Sequence, residues 1–483
     1  MDTDDLSPAE LRVWRAFPRG ETVDFGAGAD DDAAWGPERT VRARVLRALL
    51  LNGPHEPGEI AALKLSGARV TGTLDLRYAT VDSVVRLSHC RFDEVPDLSG
   101  SQLSYLNLSH SELPGLSGAR TRVDGSVRLS GCRFHGPVYL GGARISGVLF
   151  LERAELSAGG STETALGLNQ VVIEDRLCAP GLRARGRIRL NGATVAGSVD
   201  LQDADLSHPG GTVLDAEALD VGANVQARRL RAQGRIDLRG ARVPGRIDLL
   251  RATLSNPGNT ALRASSCVIG ELWLREGPPI VGRLNLRRSQ LEQLDLEPEM
   301  LPDQVRLLDL TYTFLTPHEP VERRLPMLTR DGGAYDPHGY EQLTAAYRRS
   351  GDDHAARQVQ LAKQRRHRAT LSWYGRLWGY VQDAAVGYGF RPLRAFGWLL
   401  SLLAVGSIAF ALDHPPALKQ EEAPEFNPVF FTLDLLVPVI SFGQEGAFAP
   451  QGAQQWLSYV LVLTGWILAT TILAGVTRTV SRQ

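Results

Sequence analysis

Three groups of residues in this 483-residue chain have types and spacings that could do chemistry. Arg187, Arg235 and Arg283 recur at intervals of 48. Guanidiniums repeated along one face of a periodic fold would form a fixed cationic strip, an anion ladder; the other reading is a solvated face balanced by Asp200, Asp237 and Asp248. Asp434 lies in the apolar run PVFFTLDLLVPVISF (428–442), just ahead of Gly443, Gln444 and Glu445. An acid inside a membrane-embedded segment is a functional candidate by default. These four residues therefore read as a pore or coupling set, or Asp434 as an interfacial or structurally paired carboxylate. Lys363, Arg365, Arg366 and Arg368 make a basic collar suited to an anionic membrane surface.

Other chemistry finds less. Cys90, Cys132, Cys178 and Cys267 include no C-x-x-C pair, so neither a disulfide framework nor a zinc ribbon is written here, and a reducing setting fits best. No G-x-G-x-x-G follows a strand and opens a helix, and His135, His208, His318, His338, His354, His367 and His414 are scattered. The sequence names no catalytic residue, cofactor or metal. Lys plus Arg (53) and Asp plus Glu (54) cancel to a net charge of −1, so no global field draws nucleic acid, and none is expected as a partner.

The elements that must position these residues announce themselves by repetition. Large apolar residues fall five or six apart, as in Leu65, Val70, Leu76, Val81, Leu87 and Phe92, and again from Leu129 to Leu156, Leu190 to Leu206 and Leu238 to Leu254. Two residues before alternate members sits a small side chain, such as Ala68, Ala79, Cys90, Ser101, Ala143 or Ala193. Cys90 and Cys132 occupy that inward position and read as buried packing. An eleven-residue period could also be three helical turns, but Gly67, Gly72, Gly142, Gly147, Gly192, Gly197, Gly240 and Gly245 would cost a helix about 1 kcal/mol each. Short strands turning corners at glycine suit the spacing. Gly186, Gly234 and Gly282 repeat the 48-residue interval, as do the loops SAGGSTETAL, SHPGGTVLDA and SNPGNTALRA, so two coils and one projecting loop form the larger unit.

Ala204-Asp205-Leu206, Ala154-Glu155-Leu156 and the five-residue steps from Leu98 to Leu113 resemble the A-(D/N)-L-x-x units of pentapeptide-repeat proteins. The resemblance implies a right-handed quadrilateral β-helix. Some members of that family mimic DNA with an acidic surface; residues 65–296 hold 28 arginines against 24 acids, which gives mimicry no support.

The expected organisation is an acidic, loosely ordered arm (1–36), a capping helix and entry (37–64), the solenoid (65–300), a transition segment (301–337), a basic helical collar (338–394) and a membrane domain (395–483). Residues 395–412 and 456–477 carry no charge and are long enough to cross about 30 Å of hydrocarbon, with 428–442 re-entrant or interfacial between them. Ten Lys and Arg precede the first span, whereas Lys419 stands alone among six acids between the two. This bias places both termini in the cytoplasm of an inner-membrane, multi-pass protein. Trp373, Tyr374, Trp378, Tyr380, Tyr388 and Phe390 then form an interfacial belt, and Gly465 and Gly475 hint at a homo-oligomer.

Over its length the chain also resembles bacterial proteins described as membrane-associated oxidoreductases, through YEQL (340–343), AYRR (346–349), AKQRR (362–366) and FFTLDLLVPVISFGQE (430–445). The resemblance brings no redox residue with it. The function expected is a binding or assembly scaffold for an unidentified protein, coupled to a two-helix unit in the lipid bilayer. The alternatives are an oligomeric pore-loop channel and a membrane-bound redox enzyme.

Overall fold

A chain that places a large apolar residue inward every five or six positions, with glycine or a small residue between, can bury those residues only by winding. The computed structural model describes residues 5–26, 35–159, 163–330, 335–373, 392–419, 424–437 and 441–480, without the side chains of 392–395 and 470–480. It forms a β-solenoid of about 11 turns over residues 62–316. Each turn carries four short strand stations, for example Arg122–Val123, Val127–Arg128, Arg133–Phe134 and Val138–Tyr139. Each station pairs in parallel with its counterpart one turn on: Val123 with Ile145, Val127 with Leu149, Phe134 with Leu156 and Val138 with Leu166. Like residues stack on like, so Val81, Leu103, Val123, Ile145, Ile173, Val195 and Val221 form one buried column. The solenoid runs past the expected end at 300, because Gln304–Arg306 and Thr311–Thr316 continue the two sheets.

The corners follow a rule that glycine alone does not reveal. At one kind of corner the backbone turns left-handed one residue before a buried side chain, whether the turning residue is Gly142, Gly192 and Gly240 or His89, His110, Arg120, Ala218 and Arg288; the buried residue is small at Ala143, Cys90 and Ser289 but large at Leu219 and Leu230. Gly147, Gly197 and Gly245, expected to turn corners as well, do not adopt positive φ. Their Cα atoms lie against the previous coil: a Cβ on Gly197 would stand 2.6 Å from the Asp175 carbonyl oxygen, and one on Gly245 2.6 Å from that of Ala223.

The acidic arm is more structured than its charge predicts. Helix α1 (Pro8–Ala16) starts with a capping box between Ser7 and Glu10, and Thr22–Asp24 pairs with Lys64–Ser66. Within the expected capping helix and entry (37–64), the helix begins after a strand: Thr40–Arg42 pairs with Arg69–Thr71, and helix α2 (Ala43–Asn52) buries Val45, Leu46 and Leu49. At the far end, helix α3 (Val321–Thr329) brings Arg324, 1% exposed, to donate to the carbonyls of Leu296 and Pro317. These segments cover coil edges whose unpaired backbone would otherwise template further strands.

The chain divides into two compact units, Met1–Gln342 and Leu343–Gln483. Helix α4 (Pro337–Arg349) ends at a turn through Gly351, and Asp352 caps helix α5 (Asp353–Thr370) by accepting from the Ala355 N–H at 2.8 Å. This is the expected helical hairpin. In the second unit, α6 (Pro392–Leu412), α7 (Pro428–Leu436) and α8 (Ala453–Val480) share a core of Phe410, Phe431, Leu435, Leu436, Phe448 and Leu461. The two expected crossings fall within α6 and α8. Among the described residues, no helix is long and apolar enough to cross a membrane; the described side chains of these helices cover only 396–412 and 453–469.

Candidate functional site

The 48-residue interval does bring Arg187, Arg235 and Arg283 to one face, at the same strand station. They are not adjacent. Each pairs across the sheet with a threonine of the preceding coil, Thr164, Thr212 and Thr260 respectively, so the arginines occupy alternate coils, about 10 Å apart. Each also has a local task. Arg187 reaches the Glu163 carboxylate at 3.0 Å, Arg235 donates to Thr212 Oγ1 at 2.6 Å, and Arg283 donates to the Gly258 carbonyl at 3.2 Å. All three partners belong to the projecting loops. The three arginines of the expected anion ladder thus each bond a projecting loop.

The glycines of the same interval complete this arrangement. Gly186, Gly234 and Gly282 have φ of 128°, 128° and 119°, and a Cβ on Gly234 would lie 2.6 Å from the His208 carbonyl oxygen. A loop on one coil is accommodated by a glycine, and fastened by an arginine, on the next.

Asp434, Gly443, Gln444 and Glu445 are brought together as the sequence implies, but for turn closure. The Asp434 carboxylate is 5% exposed; Oδ1 accepts from the Phe442 N–H and Oδ2 from the N–H groups of Gln444 (2.7 Å) and Glu445 (3.1 Å). Gly443 supplies the left-handed residue of that turn, with φ of 80°. Gln444 returns to the start of α7, accepting from the Asn427 N–H and donating to the Glu425 carbonyl, while Asn427 caps the helix through the Val429 and Phe430 N–H groups. Both oxygens of Asp434 thus hold the backbone of the 442–445 turn. In this geometry the carboxylate is paired with backbone N–H groups.

Lys363, Arg365, Arg366 and Arg368 lie on the second half of α5, Arg365 exposed and the others half-buried. Of the aromatics expected beside them, Trp373 is exposed, and Tyr374, Trp378, Tyr380, Tyr388 and Phe390 lie outside the described residues. Gly465 serves a contact within the chain, since a Cβ there would stand 2.3 Å from the Leu436 carbonyl oxygen.

The cysteines take the packing role. Burial pushes the Cys90 and Cys132 thiols up to about 12, and Cys132 Sγ donates to the Leu108 carbonyl at 2.8 Å. Among the described residues, no group of three or more His, Cys, Asp or Glu could hold a metal ion.

One group escaped the sequence reading. Arg239, Arg263 and Arg287 are 24 apart, half the larger interval, and line an open cavity of about 400 Å³ on the solenoid. The signal was present as that half-period, hidden by the number of arginines around it. No family model, no curated protein and no solved structure matches the chain. The resemblances to pentapeptide-repeat proteins and to membrane-associated oxidoreductases thus yield no family assignment, and the geometry alone identifies the chain as a β-solenoid scaffold followed by a helical region.

Proposed function

We propose that this protein is an assembly scaffold whose β-solenoid receives a protein partner and whose helical unit holds it at a lipid bilayer. The observation that carries the reading is the apolar surface of α6 and α8. Trp398, Ile408, Leu412, Trp456, Leu463 and Trp466 are between 51% and 83% exposed. Exposed large apolar side chains gathered on two helices suit a contact with protein or membrane. The bilayer is favoured because the exposed side chains are large and apolar and because α5 adds cations that suit anionic lipid. The excess of Lys and Arg ahead of α6 supports an orientation with both termini in the cytoplasm.

Four strand stations per turn support the quadrilateral β-helix as the finer form of the solenoid. Long sheet faces built from stacked side-chain columns suit a scaffold, as extended concave or flat surfaces do in other solenoids. No specific observation favours conduction or redox chemistry.

Flotation of the purified full-length chain with phosphatidylethanolamine–phosphatidylglycerol vesicles tests the membrane reading. The wild type is expected to rise with the vesicles and resist alkaline extraction, and the double variant Ile408→Asp, Leu463→Asp to stay in the dense fraction. A wild type that remains monodisperse without detergent and never floats would remove the bilayer from the proposal.

A further inference from the structure

The cavity holding Arg239, Arg263 and Arg287 arises from the corner rule. At one corner, Glu217, Arg239, Ser265 and Arg287 precede the left-handed residues Ala218, Gly240, Ser266 and Arg288 on successive coils. The coil-to-coil bonds Ala218 N–H to Arg239 O, Gly240 N–H to Ser265 O and Ser266 N–H to Arg287 O keep them in register at 2.7–3.0 Å. Gly240, Ser265 and Ser266 leave the middle of the column without bulk, so a notch about 400 Å³ in volume opens between the long side chains of Arg239 and Arg287.

Its charges are unevenly satisfied. Arg239 is held by Glu217 at 2.8 Å and Asp237 at 3.2 Å. Arg288 stands 3.9 Å from Asp309. Arg263 approaches the buried Asp237 only to 3.8 Å, and its Nε–H is buried without a hydrogen-bond partner. Arg287 donates through its backbone N–H to Asn285 Oδ1; among the described residues its guanidinium has neither an ion pair nor a hydrogen bond. Counting Glu217, Asp237 and Asp309 against the four arginines leaves positive charge, concentrated on Arg263 and Arg287.

We propose that this notch binds a phosphorylated polyol. The unpaired Arg287 guanidinium, with Arg263 beside it, would grip phosphoryl oxygens, for which the arginine fork is matched, and the Ser265 and Ser266 hydroxyls would meet hydroxyl groups of the ligand. The volume stands at the lower end for small-molecule pockets. No aromatic side chain lines the notch, so a nucleobase would have no stacking surface. Asp237, which meets Arg239 and Arg263, also stands 3.6 Å from the loop-anchoring Arg235, so the notch adjoins that row; it does not depend on the membrane reading.

Calorimetric titration of the full-length protein with fructose 1,6-bisphosphate and with inositol 1,4,5-trisphosphate tests it, using citrate and adenosine monophosphate as contrasts. Saturable binding of at least one phosphorylated polyol is expected. Arg287→Gln should weaken that binding at least tenfold with an unchanged melting temperature, because its side chain supports nothing else. Arg144→Gln, an exposed arginine of a distant coil, should leave it unchanged. Inositol trisphosphate free in solution, compared with the same headgroup on vesicles, separates a dissolved ligand from a lipid. The proposal is overturned if no polyol phosphate binds, if citrate or the nucleotide binds as tightly, or if Arg287→Gln and Arg144→Gln weaken binding equally.

Discussion

Ala218 and Gly240 occupy the same corner on neighbouring coils, with φ of 55° and 67°. A left-handed alanine costs about 1 kcal/mol that glycine does not. A Cβ at Gly240 would have only the Ala218 nitrogen within reach, at 4.0 Å, so dihedral strain is the sole term that changes. Ala218→Gly should therefore raise, and Gly240→Ala lower, solenoid stability by about 1 kcal/mol, read from denaturant midpoints. The rule was only half legible in the sequence. Inward residues declare themselves by size, but the corner tolerates Gly, His, Arg, Asp or Ser, since its side chain points to solvent and pays only backbone strain. Glu10 was unreadable for the opposite reason, because its partner is remote in sequence. Its carboxylate, 1% exposed, accepts from the Arg42 guanidinium at 2.6 and 2.7 Å and from the Arg42 N–H at 2.9 Å. Burial raises its pKa, but the bonds from Arg42 and from the Ser7 and Arg42 backbone outweigh that and hold it below the ordinary 4.5. With the folded value depressed, this stabilisation is complete above about pH 4.5 and is lost as pH falls through the folded value. Glu10→Gln should cost the N-terminal cap about 2 kcal/mol at neutral pH, and hydrogen exchange over 8–24 should then lose its acid dependence.

Among the elements, α7 and α8 show how a small residue fixes a helix contact. Gly465 lets α8 approach the carbonyl end of α7, with no room for a methyl group beside Leu436. Gly465→Ala should push the helices apart and lower the stability of the 343–483 unit by about 1–3 kcal/mol, despite alanine's better helix propensity. Limited proteolysis between α6 and α8 would report it; unchanged or slower cleavage would show that the contact is dispensable. The sequence identified these helices from their uncharged length and the half-helix from its Pro428 start. It could not show that Asp434 turns back onto 442–445, because a buried carboxylate bonded by backbone N–H groups leaves no sign beyond its own presence in an apolar run. A pore acid and a turn-closing acid are spelled alike.

At the scale of the whole solenoid, the 48-residue interval makes a demand that strand pairing alone does not. Removing 210–257 joins Pro209 to Gly258, and each station beyond the junction falls where its 48-residue counterpart stood, with Thr260 replacing Thr212 and Leu262 replacing Leu214. Removing 220–241 also keeps strand register, since Asp220 pairs with Arg242. The second deletion, however, sets loop 208–211 directly beneath loop 256–259. Asn256 then stands where Gly234 gave the His208 carbonyl room, and Arg235, which held Thr212, is gone. If alternation of looped and loop-free coils is the structural unit, the 48-residue deletion should yield a soluble protein with one cooperative melt within a few degrees of the parent. The 22-residue deletion, though smaller, should lose several kcal/mol or fail to fold, because it buries backbone carbonyls against a side chain and leaves loop groups unpaired. Equal melting temperatures for the two would mean that a single coil is the repeating unit and that the glycine and arginine rows are incidental to it.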